Sequence, residues 1–226
     1  MDRGALWVVM VAGCLAGATS RAQAPTPSAP AQTVPASRQP AATPAPPKAP
    51  DGTPAKSTVV AAGRKAAEFC ANCHGEDGNS KAPDVPNLAG QNRTYLAAQL
   101  QKFASGERRN KFKEGLIRLL PPQDLPLLAT YYAESPVKLP ATATGASVAP
   151  GRALYQRHCT SCHGADGHGN ETTPRVAGQQ PDYLRQSLMR YRSRSGERIN
   201  EPMSAVTGAL KDEDIAAVVA YLAGAR

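Results

Sequence analysis

Two stretches of the 226-residue chain, "CANCH" at 70–74 and "CTSCH" at 159–163, set two thiols three positions apart with a histidine directly behind the second. Residues i and i+3 share one face of a helical turn, so both sulfurs can reach one planar ligand while the histidine meets its centre from the same side. A thioredoxin-type redox pair needs a βαβ setting, and these motifs sit in short, glycine-punctuated helical sequence. A zinc site needs four ligands, and neither copy offers a second CxxC or a histidine pair to complete them. Structural disulfides suit an oxidising compartment but give no reason for a histidine in both copies. CxxCH is the attachment pattern of a c-type haem. The motifs therefore predict two covalently bound haem c groups, the first on Cys70, Cys73 and His74 and the second on Cys159, Cys162 and His163.

The motifs belong to a longer internal repeat. "FCANCHGEDGN" (69–79) answers "HCTSCHGADGH" (158–168), "LAGQNRTYL" (88–96) answers "VAGQQPDYL" (176–184), and "LATYYA" (128–133) answers "VVAYLA" (218–223). Self-similarity at this spacing means two domains of one fold. Domains of about 80 residues have marginal apolar cores and lean on a cofactor or cross-link.

Ahead of the repeat, Arg3 precedes the apolar run "ALWVVMVAGCLAGA" (5–18), which reads as a secretory signal and is short for a membrane span. "VAGC" (11–14) resembles a lipoprotein box, which would make Cys14 a lipid anchor. Residues 23–56 are mostly Pro, Ala, Thr and Ser and cannot bury a core. The expected organisation is a signal peptide at 1–22, a Pro/Ala-rich disordered linker at 23–56, and folded domains at 57–140 and 141–226. The net charge of +8 is spread along the chain, without the basic stripe and interleaved aromatics of a nucleic-acid binder.

Both halves resemble class I cytochrome c domains, and their tandem arrangement resembles the cytochrome c4 family of bacterial dihaem electron carriers. The resemblance covers nearly everything after residue 57 and implies an all-α fold. It matches Pro86 in "VPNLAG" and Pro174 in "TPRVAG" to the proline whose carbonyl accepts the proximal histidine's hydrogen bond. "LPLLATYYAE" (125–134) and "DIAAVVAYLAG" (214–224) match the terminal helix that crosses the first one. Gly151 and Tyr155 fit that first helix in the second copy, with Ala62 and Ala66 at the aligned positions of the first. In such carriers a methionine about forty residues beyond the haem motif closes the sixth iron site. Met203, forty residues after His163, matches it, and Met189 is read as core.

The first copy contains no methionine and no histidine besides His74, so its own residues can supply neither His/Met nor bis-histidine ligation. "GERRNKFKEG" (106–115) aligns with "GERINEPMSA" (196–205) and sets Lys113 in register with Met203. Two readings stand open. Lys113, with Lys111 as an outside candidate, binds as a neutral amine against a reference pKa of about 10.4; or the site is open or water-bound and Lys113 is solvated. Both remove the thioether that raises haem potential, so haem 1 is expected to be the more reducing centre.

His158 is expected to point away from the iron and His168 to lie in the loop just after the motif, with neither reaching the far face of the haem. Arg185, Arg190, Arg192, Arg194 and Arg198 are expected to form a solvated helix face with some contact to haem propionates. The resemblance implies a periplasmic carrier passing electrons from a respiratory donor to a terminal oxidase or other acceptor. Its partners would be redox proteins: a quinol–cytochrome c reductase, an oxidase or a dehydrogenase. Membrane association would come only through a lipidated Cys14 or a partner. The alternatives are small-molecule chemistry or ligand binding at haem 1, or a cytochrome subunit of a dehydrogenase or oxidase complex. A cysteine axial ligand of the kind used by thiosulfate-oxidising relatives is unavailable, since both pairs are committed to haem.

Overall fold

Apolar residues at i, i+3, i+4 and i+7 recur in both copies, as Leu125, Leu128, Ala129 and Tyr132 and again as Ile215, Val218, Val219 and Leu222; all eight are buried. A computed structural model describes residues 56–140, 148–195 and 199–226. The signal at 1–22 with Cys14, residues 23–55 and Arg198 lie outside the described residues. In the first half, α1 is Lys56–Ala66, α2 Glu68–His74, α3 Arg93–Ser105, α4 Lys111–Arg118 and α5 Asp124–Glu134. The second half repeats the series as α6 Val148–His158, α7 Thr160–His163, α8 Pro181–Arg192, α9 Glu201–Gly208 and α10 Asp212–Gly224. No strand occurs among the described residues.

Local chemistry starts several of these helices where they are needed. Asp212, Glu213 and Asp214 fill the first turn of α10, where carboxylates oppose the positive end of the helix dipole. Pro181 opens α8, at a position where its missing N–H costs nothing. Asn110 and Asn200 sit in extended backbone before α4 and α9, and each side chain accepts a third-position backbone N–H: that of Lys113 at 3.0 Å and that of Met203 at 3.0 Å.

The terminal helix of each half crosses the first, α5 on α1 and α10 on α6. A glycine allows the close approach. A Cβ on Gly63 would lie 2.2 Å from the Leu127 carbonyl oxygen, and one on Gly151 would lie 2.0 Å from that of Ala217. The counterpart of Gly151 is thus Gly63 and not Ala62, and Ala67 rather than Ala66 answers Tyr155. The first half has one residue fewer between this glycine and its first cysteine. The loss is absorbed where α1 meets α2, as the Ala67 N–H donates to both the Gly63 carbonyl at 2.9 Å and the Arg64 carbonyl at 3.1 Å.

That exchange changes which helix steadies the loop behind the cysteine motif. In the second half the fully buried Tyr155 of α6 donates its hydroxyl to the Gly164 carbonyl at 2.5 Å. In the first half Ala67 is too small, and Tyr131 from α5 donates to the Glu76 carbonyl at 2.7 Å instead.

The two halves dock through side-chain amides placed alike in each copy. Gln91 donates to the Arg175 carbonyl at 2.9 Å and accepts the Arg175 N–H at 2.7 Å. Its repeat partner Gln179 donates to the Asn87 carbonyl at 3.0 Å and accepts the Asn87 N–H at 2.6 Å. Around them Asn92 donates to the Thr173 carbonyl at 2.7 Å, and Gln180 to the Ser80 carbonyl at 2.6 Å.

Candidate functional site

Each cysteine motif ends its helix on the histidine, and the chain then turns away so that a downstream proline carbonyl can face the ring. His74 Nδ1 lies 2.8 Å from the Pro86 carbonyl oxygen, and His163 Nδ1 lies 3.0 Å from that of Pro174. Donation from Nδ1–H to these carbonyls fixes the tautomer and leaves Nε2 as the free lone pair. Both rings are buried. Burial, and then the charge of Lys113, hold His74 down at about 4, with the Pro86 bond opposing them. Burial also lowers His163, against the Pro174 bond. Each ring is therefore neutral near pH 7, the form that binds a metal.

A continuous cavity of about 1180 Å³ runs between the halves. Cys70, Cys73, Cys159 and Cys162 all line it as free thiols, with His74 and His163 among them. Leu96, Phe103, Leu128 and Tyr132 form apolar wall on one side, and Leu184, Tyr191, Leu210 and Val218 on the other. The donor set fits two haems. Each cradle offers two thiols for the vinyl groups, a neutral imidazole for the iron, and an apolar wall for the porphyrin faces.

Polar groups in the wall fit the rest of the cofactor. Arg108 and Arg175 line the cavity, and each has a buried Nε with no partner among the described residues, donors of the kind that haem propionates would take. The cation also stacks at Arg108, whose guanidinium lies 4.4 Å from the centre of the Phe103 ring. Neither arginine stood out in the sequence: Arg108 is one of four cations in "GERRNKFKEG" and Arg175 is a single cation in a loop, so neither carries a pattern of its own. The arginines expected to form one solvated helix face are divided: on α8 the exposed Arg185 pairs with Asp182 and the half-buried Arg192 with Asp212 at 2.5 Å, while Arg194 lies past the end of α8 and pairs with Glu201 at 2.9 Å. None of these three lines the cavity.

The sixth-ligand candidates come from α4 and α9. Lys113 and Met203 occupy the same third helical position behind the same asparagine cap, both half-buried and both in the cavity wall. Lys113 Nζ approaches His74 Nε2 to 3.2 Å, so the amine faces the one lone pair of its half that is aimed at a metal. Burial, and next the charge of Arg108, lower the Lys113 pKa and favour the neutral amine. Lys111 is exposed at the first position of α4 and does not line the cavity.

Met189 is not core: it is 43% exposed on α8 and absent from the cavity wall. Its flank of α8 faces away from α9 and α10, which cover the side bearing Leu184 and Leu188. His168 is exposed and lies 3.1 Å from Asp166. His158, half-buried, lines the cavity beside Cys159, closer to the cofactor space than its place before the motif suggested.

Comparison with known proteins gives a consistent result. Residues 60–130 and 148–226 each match the cytochrome c family model. Cytochrome c4 of Pseudomonas aeruginosa is 35% identical over 177 residues, covering 73% of this chain and 88% of the relative. A thiosulfate dehydrogenase electron acceptor of Thiomonas intermedia is 34% identical over 174 residues, covering 70% of this chain and 78% of the relative. The crystal structure of reduced recombinant cytochrome c4 from Pseudomonas stutzeri superposes with a TM-score of 0.68 at 31% identity, covering 74% of this chain and 98% of that one.

Proposed function

The chain belongs to the cytochrome c family, in its tandem cytochrome c4-like form, and from that premise we propose that it carries electrons in the periplasm from a respiratory donor, through two haems of unequal potential, to a terminal oxidase or another acceptor. It is a dihaem electron-transfer cytochrome with two covalently bound haem c groups. In the proposed assignment, Cys70 and Cys73 attach haem 1, and Cys159 and Cys162 attach haem 2. His74 and His163 are the proximal ligands, steadied by Pro86 and Pro174. Met203 closes haem 2 and Lys113 closes haem 1.

One observation carries the inequality of the two centres: Lys113 Nζ stands 3.2 Å from His74 Nε2, at the position that methionine occupies in the second half. A thioether stabilises the reduced iron relative to an amine, so electrons enter at haem 1 and leave from haem 2. Redox titration of the holoprotein followed by visible spectroscopy tests this. Two resolved one-electron waves are expected, with the haem that carries the methionine signature reduced first. A single wave, or the reverse order, overturns the reading.

Support for export comes from the apolar run at 5–18 and from covalent attachment, which keeps a cofactor from dissociating outside the cell. No helix among the described residues is long and apolar enough to cross a membrane. A second reading of the donor is favoured by the relative named as a thiosulfate dehydrogenase electron acceptor: a dehydrogenase that hands its electrons to haem 1. Copurification with a dehydrogenase, against reduction of the isolated cytochrome by a quinol–cytochrome c reductase, separates the two donors.

A further inference from the structure

The docking glutamines touch more than a neighbouring loop. The N–H of Asn87 belongs to the same peptide unit as the carbonyl of Pro86. Gln179, in the second half, accepts that N–H at 2.6 Å, and the carbonyl on the other side of the unit takes His74 Nδ1 at 2.8 Å. The converse holds across the interface. Gln91, in the first half, accepts the Arg175 N–H at 2.7 Å, and the carbonyl of that unit, from Pro174, takes His163 Nδ1 at 3.0 Å.

We propose that Gln91 and Gln179 are crossed positioning residues, each holding and polarising the peptide unit that orients the other half's proximal histidine, so that docking of the halves sets the potential of both haems. This rests on the assignment of His74 and His163 as iron ligands. Three features of the site carry it. Gln91 and Gln179 are buried at 6% and 7% exposure, and Asn87 at 5%, so water is kept from the Gln179–Asn87 pair and has limited access to the Gln91–Arg175 pair, where Arg175 is half-buried. Each glutamine oxygen also accepts the next residue's N–H, from Asn92 at 3.0 Å and from Gln180 at 2.9 Å, which fixes the oxygen toward the donors. Each glutamine nitrogen closes the ring by donating to the carbonyl of the residue whose N–H the glutamine oxygen accepts.

The physical consequence has a sign. A peptide whose N–H donates has a more negative carbonyl oxygen, because hydrogen bonds in series polarise one another. That oxygen pulls harder on the histidine Nδ1–H, raises the basicity of Nε2 and favours the oxidised iron. Loss of the glutamine therefore raises the potential of the haem in the opposite half. A merely structural role would disturb the glutamine's own half first, or both halves equally.

Gln179→Leu and Gln91→Leu in the full-length holoprotein test this by redox titration, with haem 2 recognised by its methionine signature. Gln179→Leu should shift the reduction equilibrium of haem 1 by about threefold toward the reduced form, the order expected of one lost bond in a short polarised chain, and move haem 2 less. Gln91→Leu should do the opposite. Gln179→Glu keeps an acceptor for the Asn87 N–H and should shift haem 1 toward the oxidised form; it also stands in should the leucine variant fail to fold. Equal shifts, shifts confined to the mutated half, or unmoved potentials overturn the crossing while leaving the ligand assignment intact. Electron paramagnetic resonance of the parent without histidine ligation at either iron would overturn both.

Discussion

Lys113 and Met203 are held by the same device: each is the third residue of an eight-residue helix, with its backbone N–H bound at 3.0 Å to an asparagine side chain at the cap. The capped backbone that presents the third residue is thus common to both halves, although the helices themselves, KFKEGLIR and EPMSAVTG, share no residue in register. On the proposed assignment, that shared geometry would offer an amine to one iron and a thioether to the other.

The cap gives a first test. Asn200→Ala removes the acceptor of the Met203 N–H and should cost about 1 kcal/mol. Because that residue aims the ligand, the far-red sulfur-to-iron band should weaken at neutral pH well before global unfolding is seen by circular dichroism. Met203→Ala should abolish the band with both haems still attached. A band that survives Met203→Ala would sink the assignment of Met203.

The cysteines give a second. Each half builds its apolar wall around the cavity, so a half without its haem loses the surface against which Leu96 and Phe103, or Leu184 and Leu210, are packed. Cys159→Ala with Cys162→Ala should remove one of two haem additions from the mass of the protein and make the second half sensitive to protease. Retention of both haems in that variant would contradict the attachment scheme.

Gly63 and Gly151 give a third. With hypothetical Cβ atoms 2.2 Å and 2.0 Å from backbone oxygens of the crossing helix, Gly63→Ala and Gly151→Ala each force two backbones apart. The expected cost is about 1–3 kcal/mol per substitution, the range for overpacking. Ala62→Gly, at the position that a constant repeat offset would choose, should instead cost under about 1 kcal/mol, as a glycine in a helix does. Denaturant unfolding of the holoprotein separates the two positions.

That contrast marks where the sequence was legible. The terminal helices were legible through the resemblance, and the matched spans 125–134 and 214–224 lie within α5 and α10, where Leu125, Leu128, Ala129 and Tyr132 are buried at helical spacing. The register of Lys113 on Met203 could be read because the cap asparagine and its flanks repeat. Gly63 was hidden because one residue is missing between it and Cys70, and only the doubled bond at the Ala67 N–H reveals how the helix absorbs the gap. The roles of Gln91 and Gln179 were hidden for another reason. Both fall in the quoted repeat "AGQ", but their partners lie 84 and 92 residues away, and pairing at that range leaves no local pattern. Met189 misled because an apolar residue on an amphipathic helix is usually buried, and here it lies at 43% exposure on α8's uncovered flank.

The sharpest test falls on the amine facing His74. Lys113→Met should give haem 1 a second methionine signature and raise its potential toward that of haem 2, because the loop already presents that position to the cavity. Lys113→Ala should open the site and let carbon monoxide bind one reduced haem readily. The parent adds a pH signature of fixed sign. Burial and Arg108 lower the lysine's pKa, so the neutral amine dominates above that value and acidification through it restores the ammonium, which cannot ligate. Carbon monoxide binding at haem 1 should therefore rise as pH falls in the parent and stay flat with pH in Lys113→Ala. If the parent already binds carbon monoxide at one haem at alkaline pH, and the alanine variant matches it in spectrum and potential, the lysine is solvated and haem 1 is an open site suited to small ligands.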